Sequence, residues 1–279
     1  MNVVTSMKDI RVARNLLKSP VGLVPTMGFL HDGHLSLVRN AKKQCSSVIV
    51  SIFVNPTQFG PGEDLTTYPR DLNRDLKMLE ELKTDLVWTP TPEIMYPPDF
   101  QTWISVEALS RPLEGMMRPG HFRGVSTIVA KLFNAVQPNL AYFGQKDAQQ
   151  VAVVKQMTRD LNFDLEIVVC PTVREPDGLA LSSRNINLNP TERKAASVLY
   201  RSLSVALFSN NAGERDSQKV RRIIEEEITK EPLARLQYVS CANPDTLQEI
   251  EGMIEGNALL SMAVFIGKTR LIDNIVIGD

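Results

Sequence analysis

The sequence predicts an α/β protein with a doubly wound, Rossmann-like parallel sheet and a smaller α+β domain after it. Over residues 1–172, short apolar runs alternate with amphipathic stretches, which is typical of strand–helix–strand units. After Pro190 the order changes, because two helical stretches precede three strand-like runs, as in an α+β domain. We therefore expect a larger domain at residues 1–172 and a smaller one at 173–279, which should cover the ligand.

The composition is that of an ordinary globular chain. It has 279 residues, 43% hydrophobic and 23% charged, with a formal net charge of −1. This balance gives no electrostatic case for binding nucleic acid or an anionic membrane. No apolar run is long enough to cross a bilayer, the charged N-terminus is unlike a signal peptide, and the three separated cysteines are unlike a disulfide framework. We expect a cytoplasmic protein.

The first elements follow from local signals. Ser6, with Asp9 three residues later, resembles a capping box and predicts a helix. The apolar run at 21–24 predicts a buried strand, which Pro25 should end because proline cannot donate to a ladder. A helix opened by His34 should follow, since the next apolar residues recur at helical spacing.

The remaining elements are assigned from apolar periodicity and from β-branched runs. Expected strands lie at residues 47–54, 86–88, 101–106, 140–143, 164–169, 236–241, 259–265 and 271–277. Expected helices lie at residues 71–83, 191–208 and 216–230, and after the motifs RPGHFRG and GQKD.

The segment VGLVPTMGFLHDGH, residues 21–34, predicts an anion-binding site. Gly28 and Gly33 permit a tight turn, and a helix N-terminus after a strand offers free N–H groups and a favourable dipole. His31 and His34 are three residues apart and can face one ligand. The helix dipole disfavours imidazolium, so we expect neutral rings that donate to phosphate oxygens. A structural histidine pair and half of a metal site are the alternatives.

Polar side chains also follow the strand expected at 47–54. Asn55 and Gln58 could clamp a carboxylate and hydroxyls, or they could cap an ordinary surface turn. Asp64, in the long loop beyond, could hold a hydrated magnesium ion, although an exposed loop acid is an equal alternative.

Two turns that carry basic residues could bind anions. Arg118 and His121 precede a helix, where basic groups oppose the dipole unless an anionic substrate lies nearby. The alternative is an arginine paired with a loop acid. Ser182, Ser183 and Arg184 could hold the β- and γ-phosphates of a nucleotide, or the serines could simply cap a helix.

The strand expected at 140–143 is followed by GQKDAQQ. Gly144 should turn the chain, Lys146 offers a point charge for phosphate, and Asp147 can cap a helix and accept from a ribose hydroxyl. Gln150 lies one turn further on. The spacing is not that of a Walker A loop.

These motifs resemble those of the pantoate–β-alanine ligase family, of the HxGH nucleotidylyl-transferase type. The resemblance covers essentially the whole chain, through PTMGFLHDGH, FVNPTQF, YPRDL, RPGHFRG, YFGQKDAQQ, REPDGLALSSRN and RLIDN. It implies a ligase of pantothenate biosynthesis that makes pantoyl adenylate and pyrophosphate from ATP and pantoate, and then pantothenate and AMP by attack of β-alanine. It also implies Mg²⁺ with ATP, and a homodimer.

The resemblance assigns ATP and pantoate binding to residues 1–172, with His34 as the catalytic histidine and His31, Lys146 and Arg184 beside it. ATP would contact a set of residues drawn from the matching motifs. These are Met27, Gly28, Phe29, Leu30, His31, Asp32, Gly33, His34, Gly144, Gln145, Lys146, Asp147, Val173, Leu181, Ser182, Ser183 and Arg184. Phe29 and Leu181 differ from the residues most common in the family and should contribute backbone or apolar contacts.

Pantoate would be held by Gln58 and Gln150, and Gln58 would later bind β-alanine. The residue patterns add Asn55, Arg118 and His121 as substrate-binding candidates. The alternative function is that of another HxGH nucleotidylyl transferase, which acts on a phosphorylated acceptor.

Overall fold

The computed structural model describes residues 1–278, which form two compact units. Residues 1–145 and 153–171 make up the first unit, and residues 146–152 with the chain from Thr172 onward make up the second. The segment 146–152, assigned from the sequence to the larger domain, therefore groups with the second unit. Within the described residues, no helix is long and apolar enough to cross a membrane.

The first unit contains a six-stranded sheet whose neighbours all pair in parallel. Its strands are β1 (Asn2–Val4), β2 (Val21–Thr26), β3 (Ser47–Ile52), β4 (Leu86–Trp88), β5 (Leu140–Gly144) and β6 (Glu166–Cys170). The spatial order is β1-β4-β3-β2-β5-β6. The order reverses between β2 and β5, and doubly wound sheets bind ligands at such switch points. The predicted fold class is confirmed.

Helices alternate with these strands along the chain. Up to β6 they are α1 (Met7–Asn15), α2 (Asp32–Gln44), α3 (Leu72–Glu81), α4 (Pro92–Met95), α5 (Glu114–Met117), α6 (His121–Val136) and α7 (Ala148–Asp160). The apolar face of α2 packs on β2, β3 and β5, where Val24, Val50 and Tyr142 are fully buried. The capping interaction predicted at Ser6 is present, because its hydroxyl accepts the N–H of Asp9 at 3.0 Å.

The second unit contains a three-stranded antiparallel sheet in the order β7-β8-β9. Its elements are α8 (Pro190–Ala195), α9 (Val198–Asn211), α10 (Ser217–Thr229), β7 (Ala234–Ala242), β8 (Ala258–Ile266) and β9 (Thr269–Ile277). Leu199 and Leu203 of α9 and Ile224 of α10 pack with Leu260 and Met262 of β8 in one apolar core. The α+β character predicted for this part is confirmed.

Two strands differ from the sequence expectation. β2 continues through Pro25 to Thr26. The ladder with β5 ends at Leu23, so Pro25 has a neighbouring strand, β3, on one side only, and its missing N–H can lie on the unpaired side. β5 includes Gly144, which pairs with Cys170 instead of turning the chain. The turn follows as a 3₁₀ segment at Gln145–Asp147.

Two other predictions were wrong. Residues 101–106 form no strand; Trp103 instead stacks on Tyr96 at a ring-centroid distance of 6.0 Å. The single helix expected at 191–208 is two helices, α8 and α9, and α8 has its own capping box from Asn189 and Glu192.

Candidate active site

His31 and His34 lie together at the start of α2, with ring centroids 4.1 Å apart. The helix begins at Asp32 and not at His34 as expected, because Nδ1 of His31 accepts the N–H of Gly33 at 3.2 Å and caps the helix. Since Nδ1 accepts, neutral His31 carries its proton on Nε2, which is then a donor. His31 therefore presents an imidazole donor at the positive end of a helix, with the ring of His34 beside it.

The turn before the histidines is held from within the protein. Gly28 and Phe29 have φ values of +83° and +50°. The N–H groups of Phe29 and Leu30 both donate at 2.7 Å to the carboxylate of Asp75, a side chain that is 1% exposed. Those two N–H groups are thus directed at Asp75, and Leu30 itself is buried in the core.

Asp75 was missed in the sequence. It lies on α3 three residues after Leu72 and four before Leu79, so helical spacing places it on the same face as these leucines. A carboxylate on a buried face needs a partner, and that mismatch was the available signal.

Gln58 ends a 3₁₀ turn, Pro56–Gln58, that follows β3. Its Oε1 accepts from Nδ2 of Asn55 at 3.1 Å, and its Nε2 lies 2.9 Å from the sulfur of Met27. A thioether is a weak acceptor, so the amide N–H₂ of Gln58 can exchange this contact for a substrate oxygen at little cost. The contact also joins Gln58 to the turn that carries the histidines.

Asn55 is 1% exposed and holds the Gln58 turn in place. Its Nδ2 donates to Oε1 of Gln58 and to the carbonyl of Gly124, each at 3.1 Å. Its Oδ1 accepts from the hydroxyl of Tyr96 at 2.9 Å and from the hydroxyl of Thr57 at 3.0 Å. The capping alternative therefore describes the geometry of Asn55, and a direct contact with substrate stays a prediction.

Arg118 and His121 both bind the backbone carbonyl of Gln58. Nδ1 of His121 lies 2.7 Å from that oxygen, and an Nη of Arg118 donates to it at 3.3 Å. Arg118 also makes a bidentate pair with Glu63 at 2.7 and 2.8 Å, so the pairing with a loop acid does occur. Another Nη of Arg118 lies 3.2 Å from Nε2 of His121. Because arginine can only donate, this Nε2 accepts and the proton of His121 sits on Nδ1.

The charge states of this cluster follow from burial. Desolvation, together with the positive charge of Arg118, lowers the pKa of His121 to about 4. Burial raises the pKa of Glu63, but the hydrogen bonds and charge of Arg118 outweigh it and the net pKa is lowered. Near neutral pH the cluster therefore consists of a neutral imidazole, a guanidinium and a carboxylate.

Within the second unit, Lys146 and Asp147 lie in the 3₁₀ turn Gln145–Asp147 that leads into α7, and both side chains are partly exposed. The side chain of Asn274, on β9, donates to the carbonyl of Lys146 at 2.8 Å. The neighbouring Asp273 pairs with Arg174 at 2.6 and 2.9 Å. The backbone of Lys146 is thus tied to the strand that contains the RLIDN motif.

The SSRN motif begins another 3₁₀ turn, Ser183–Asn187. Ser182 caps it, since its hydroxyl accepts the N–H of Arg184 at 3.2 Å, so the capping alternative holds for this serine. Ser183 is 7% exposed, and Leu181 donates its N–H to the carbonyl of Val173 at 3.0 Å. Binding of a triphosphate by these residues stays a prediction. Gln150, which is predicted to bind pantoate, is partly exposed, and that role also stays a prediction.

No dedicated metal cage is present in residues 1–278, where no group of three or more His, Cys, Asp or Glu side chains could hold a metal ion. Magnesium usually binds through one or two carboxylates together with substrate phosphates and water. A half-buried loop acid such as Asp64 suits that mode better than an all-protein site.

Comparison with known proteins places these features in a family. The model of the pantoate-beta-alanine ligase family matches residues 2–276. The pantothenate synthetase of Roseiflexus sp. (strain RS-1) is 57% identical over 277 residues, 99% of each chain. The pantothenate synthetase structure from Thermus thermophilus superposes with a TM-score of 0.94 at 46% identity, again over 99% of each chain. The ligase of Francisella tularensis, complexed with β-γ ATP and β-alanine, gives a TM-score of 0.82 at 38% identity, over 99% of this chain and 97% of that one.

Proposed function

This chain belongs to the pantoate–β-alanine ligase family, and from that premise we propose that it condenses pantoate with β-alanine at the expense of ATP. In the first step the pantoate carboxylate attacks the α-phosphorus of ATP, and the bond to pyrophosphate breaks. Pantoyl adenylate forms. In the second step the amine of β-alanine attacks the acyl carbon, AMP leaves, and the amine gives up its proton as pantothenate forms.

The observation that carries this proposal is the histidine pair at the start of α2. Transfer at phosphorus needs alignment and neutralisation of charge more than covalent help from the protein. Nε2–H of His31 is set as a donor by the bond at Nδ1, and His34 lies against it at 4.1 Å. We assign to His34, with His31 beside it, the stabilisation of charge that develops on the phosphate oxygens.

Gln58 is the residue we assign to pantoate. Its carbonyl is bound by two side chains and its Oε1 by Asn55, so the free energy cost of ordering this side chain is already met before substrate binds. The side-chain NH₂ group of Gln58, which lies against the Met27 sulfur, can donate to a carboxylate or hydroxyl oxygen of pantoate. Gln150 is the second candidate for the same substrate.

We assign Lys146, Arg184 and the two serines before Arg184 to the nucleotide. Lysine supplies a point charge and arginine a planar fork, and both suit phosphate oxygens. Mg²⁺ would neutralise further phosphate charge and would be held mainly by ATP itself, with Asp64 acting at most through water. We also propose that the protein is a homodimer, as the family resemblance implies, and that it is cytoplasmic, as its composition and cysteine content indicate.

Exchange of labelled pyrophosphate into ATP tests the function directly. Exchange should require pantoate and no amine, and AMP should be released only when β-alanine is added. Exchange that is absent with pantoate but present with a phosphorylated acceptor would instead assign the chain to another nucleotidylyl-transferase activity.

A further inference from the structure

Asp75 makes an unusual bidentate contact with the backbone. Its Oδ2 accepts the N–H of Phe29 and its Oδ1 accepts the N–H of Leu30, each at 2.7 Å. Both oxygens thus serve two consecutive amides of a turn that lies 45 residues away in sequence. The geometry is that of a backbone nest, a concave pair of N–H groups that binds an anion.

The carboxylate of Asp75 does not cap helix α3. Its N-cap is Asp71, whose side chain accepts the N–H of Arg74 at 3.1 Å. Asp75 lies on the leucine face, where an apolar residue would pack without loss of hydration, and burial raises the pKa of its carboxyl. The two turn amides are therefore the partners that explain a carboxylate at this position.

The turn, in contrast, depends on an anion. Gly28 and Phe29 both have positive φ, which is costly for a bulky residue such as phenylalanine. Without an acceptor the N–H of Leu30, a residue 1% exposed, would be buried and unsatisfied. His31 follows directly, so the conformation of this turn determines where its ring points.

We propose that Asp75 is a positioning residue for the adenylation step: its carboxylate fixes the turn at residues 28–30, and the turn fixes the imidazoles of His31 and His34. Only the expected effect on the adenylation rate rests on the proposed function. Its structural consequence, the orientation of two imidazoles, can be measured whatever reaction the protein catalyses.

Asp75→Asn is the informative variant. It keeps the size of the side chain but replaces one of the two acceptor oxygens with an NH₂ group, which cannot accept the backbone N–H that faces it. Displacement of a catalytic group by about 1 Å lowers the rate by on the order of 10²-fold, so kcat for pantoate-dependent pyrophosphate exchange should fall by about that factor. The loss in kcat should exceed any rise in the KM for ATP, because the imidazoles act on charge that develops in the transition state, whereas residues 27–34 are only part of the predicted ATP contacts. Asp71→Asn is the matched control: it removes an acidic cap on the same helix and should leave kcat near the wild-type value.

Histidine-selective NMR provides the second readout, because the chain has only three histidines. The imidazole resonances of His31 and His34 should shift in Asp75→Asn, whereas those of His121 should not. Unchanged resonances of the pair, or a kcat within twofold of wild type, would overturn the proposal. If Asp75→Asn does not fold, Asp75→Glu takes its place: it keeps the charge but lengthens the side chain, and shifts confined to His31 and His34 are expected. Equal shifts at all three histidines would mean that Asp75 acts on the fold in general.

Discussion

Replacement of Gly124 by alanine should displace the 3₁₀ turn that carries Gln58, the residue that we assign to pantoate. Gly124 lies on the buried side of α6, and a Cβ there would sit 2.4 Å from the carbonyl oxygen of Thr57 and 2.8 Å from the nitrogen of Gln58. Ordinary contact begins near 3.4 Å, so one backbone must move by about 1 Å (3.4 − 2.4). Because α6 is anchored along its length by buried side chains, we expect the short 3₁₀ turn to move.

The expected effect is larger on binding than on stability. Overpacking costs about 1–3 kcal/mol, but alanine regains about 1 kcal/mol of helix propensity, so the free energy of unfolding should change only modestly. Displacement of Gln58 by about 1 Å should lower kcat/KM for pantoate by roughly 10–100-fold and leave the KM for ATP within about 3-fold.

Steady-state kinetics with each substrate varied in turn provides the measurement. Gly60→Ala is the matched control, since the same methyl group, added on the loop that follows the Gln58 turn, meets only Glu63, at an ordinary 3.6 Å. A kcat/KM for pantoate within twofold of wild type in Gly124→Ala would refute the reasoning. So would an equal loss in Gly60→Ala, which would indicate a general sensitivity of the loop.

The remaining predictions concern four side chains. His34→Ala should lower pantoate-dependent pyrophosphate exchange by at least ~100-fold with an unchanged thermal unfolding midpoint, and near-normal exchange would remove this histidine from the chemistry. The lowered pKa of His121 means that the folded state binds fewer protons than the unfolded state between pH 6.5 and about 4. The free energy of unfolding in urea should therefore fall by up to ~3 kcal/mol as pH drops through that window, and His121→Gln should flatten the slope. Asn274→Leu, which removes the donor to the Lys146 carbonyl, should raise the KM for ATP about 10-fold and leave that for pantoate unchanged; the reverse pattern would contradict the assignment. Met27→Leu should change the KM for pantoate by less than about 3-fold, because a sulfur acceptor contributes little.

The sequence predicted those parts of the site that local patterns determine. The strand, glycine turn and helix around residues 21–34 follow from apolar spacing, and the helix N-terminus followed from the same pattern to within two residues. The exact cap was missed because histidine is not a usual N-cap, whereas here Nδ1 of His31 takes the place of a serine or aspartate oxygen.

Contacts between distant residues could not be predicted in the same way. Arg118 pairs with Glu63 across 55 residues, and the sequence left a substrate anion and a loop acid as equal alternatives. Asp75 reaches Phe29 across 46 residues, and Asn274 reaches Lys146 across 128. Periodicity indicates which face of a helix or strand is buried, but it does not indicate which polar group of a distant segment packs against that face. The roles assigned to the site residues stay predictions until the variants are measured.

The short ladder between β2 and β5 has an evolutionary consequence. The two strands share only the rungs at Gly22 and Leu23, although each continues for three further residues. Beyond these two pairs, no ladder joins the carboxyl ends of β2 and β5. Side chains at these strand ends can change without breaking a ladder between β2 and β5, so mutational drift could alter which molecule is recognised there while the sheet itself persists.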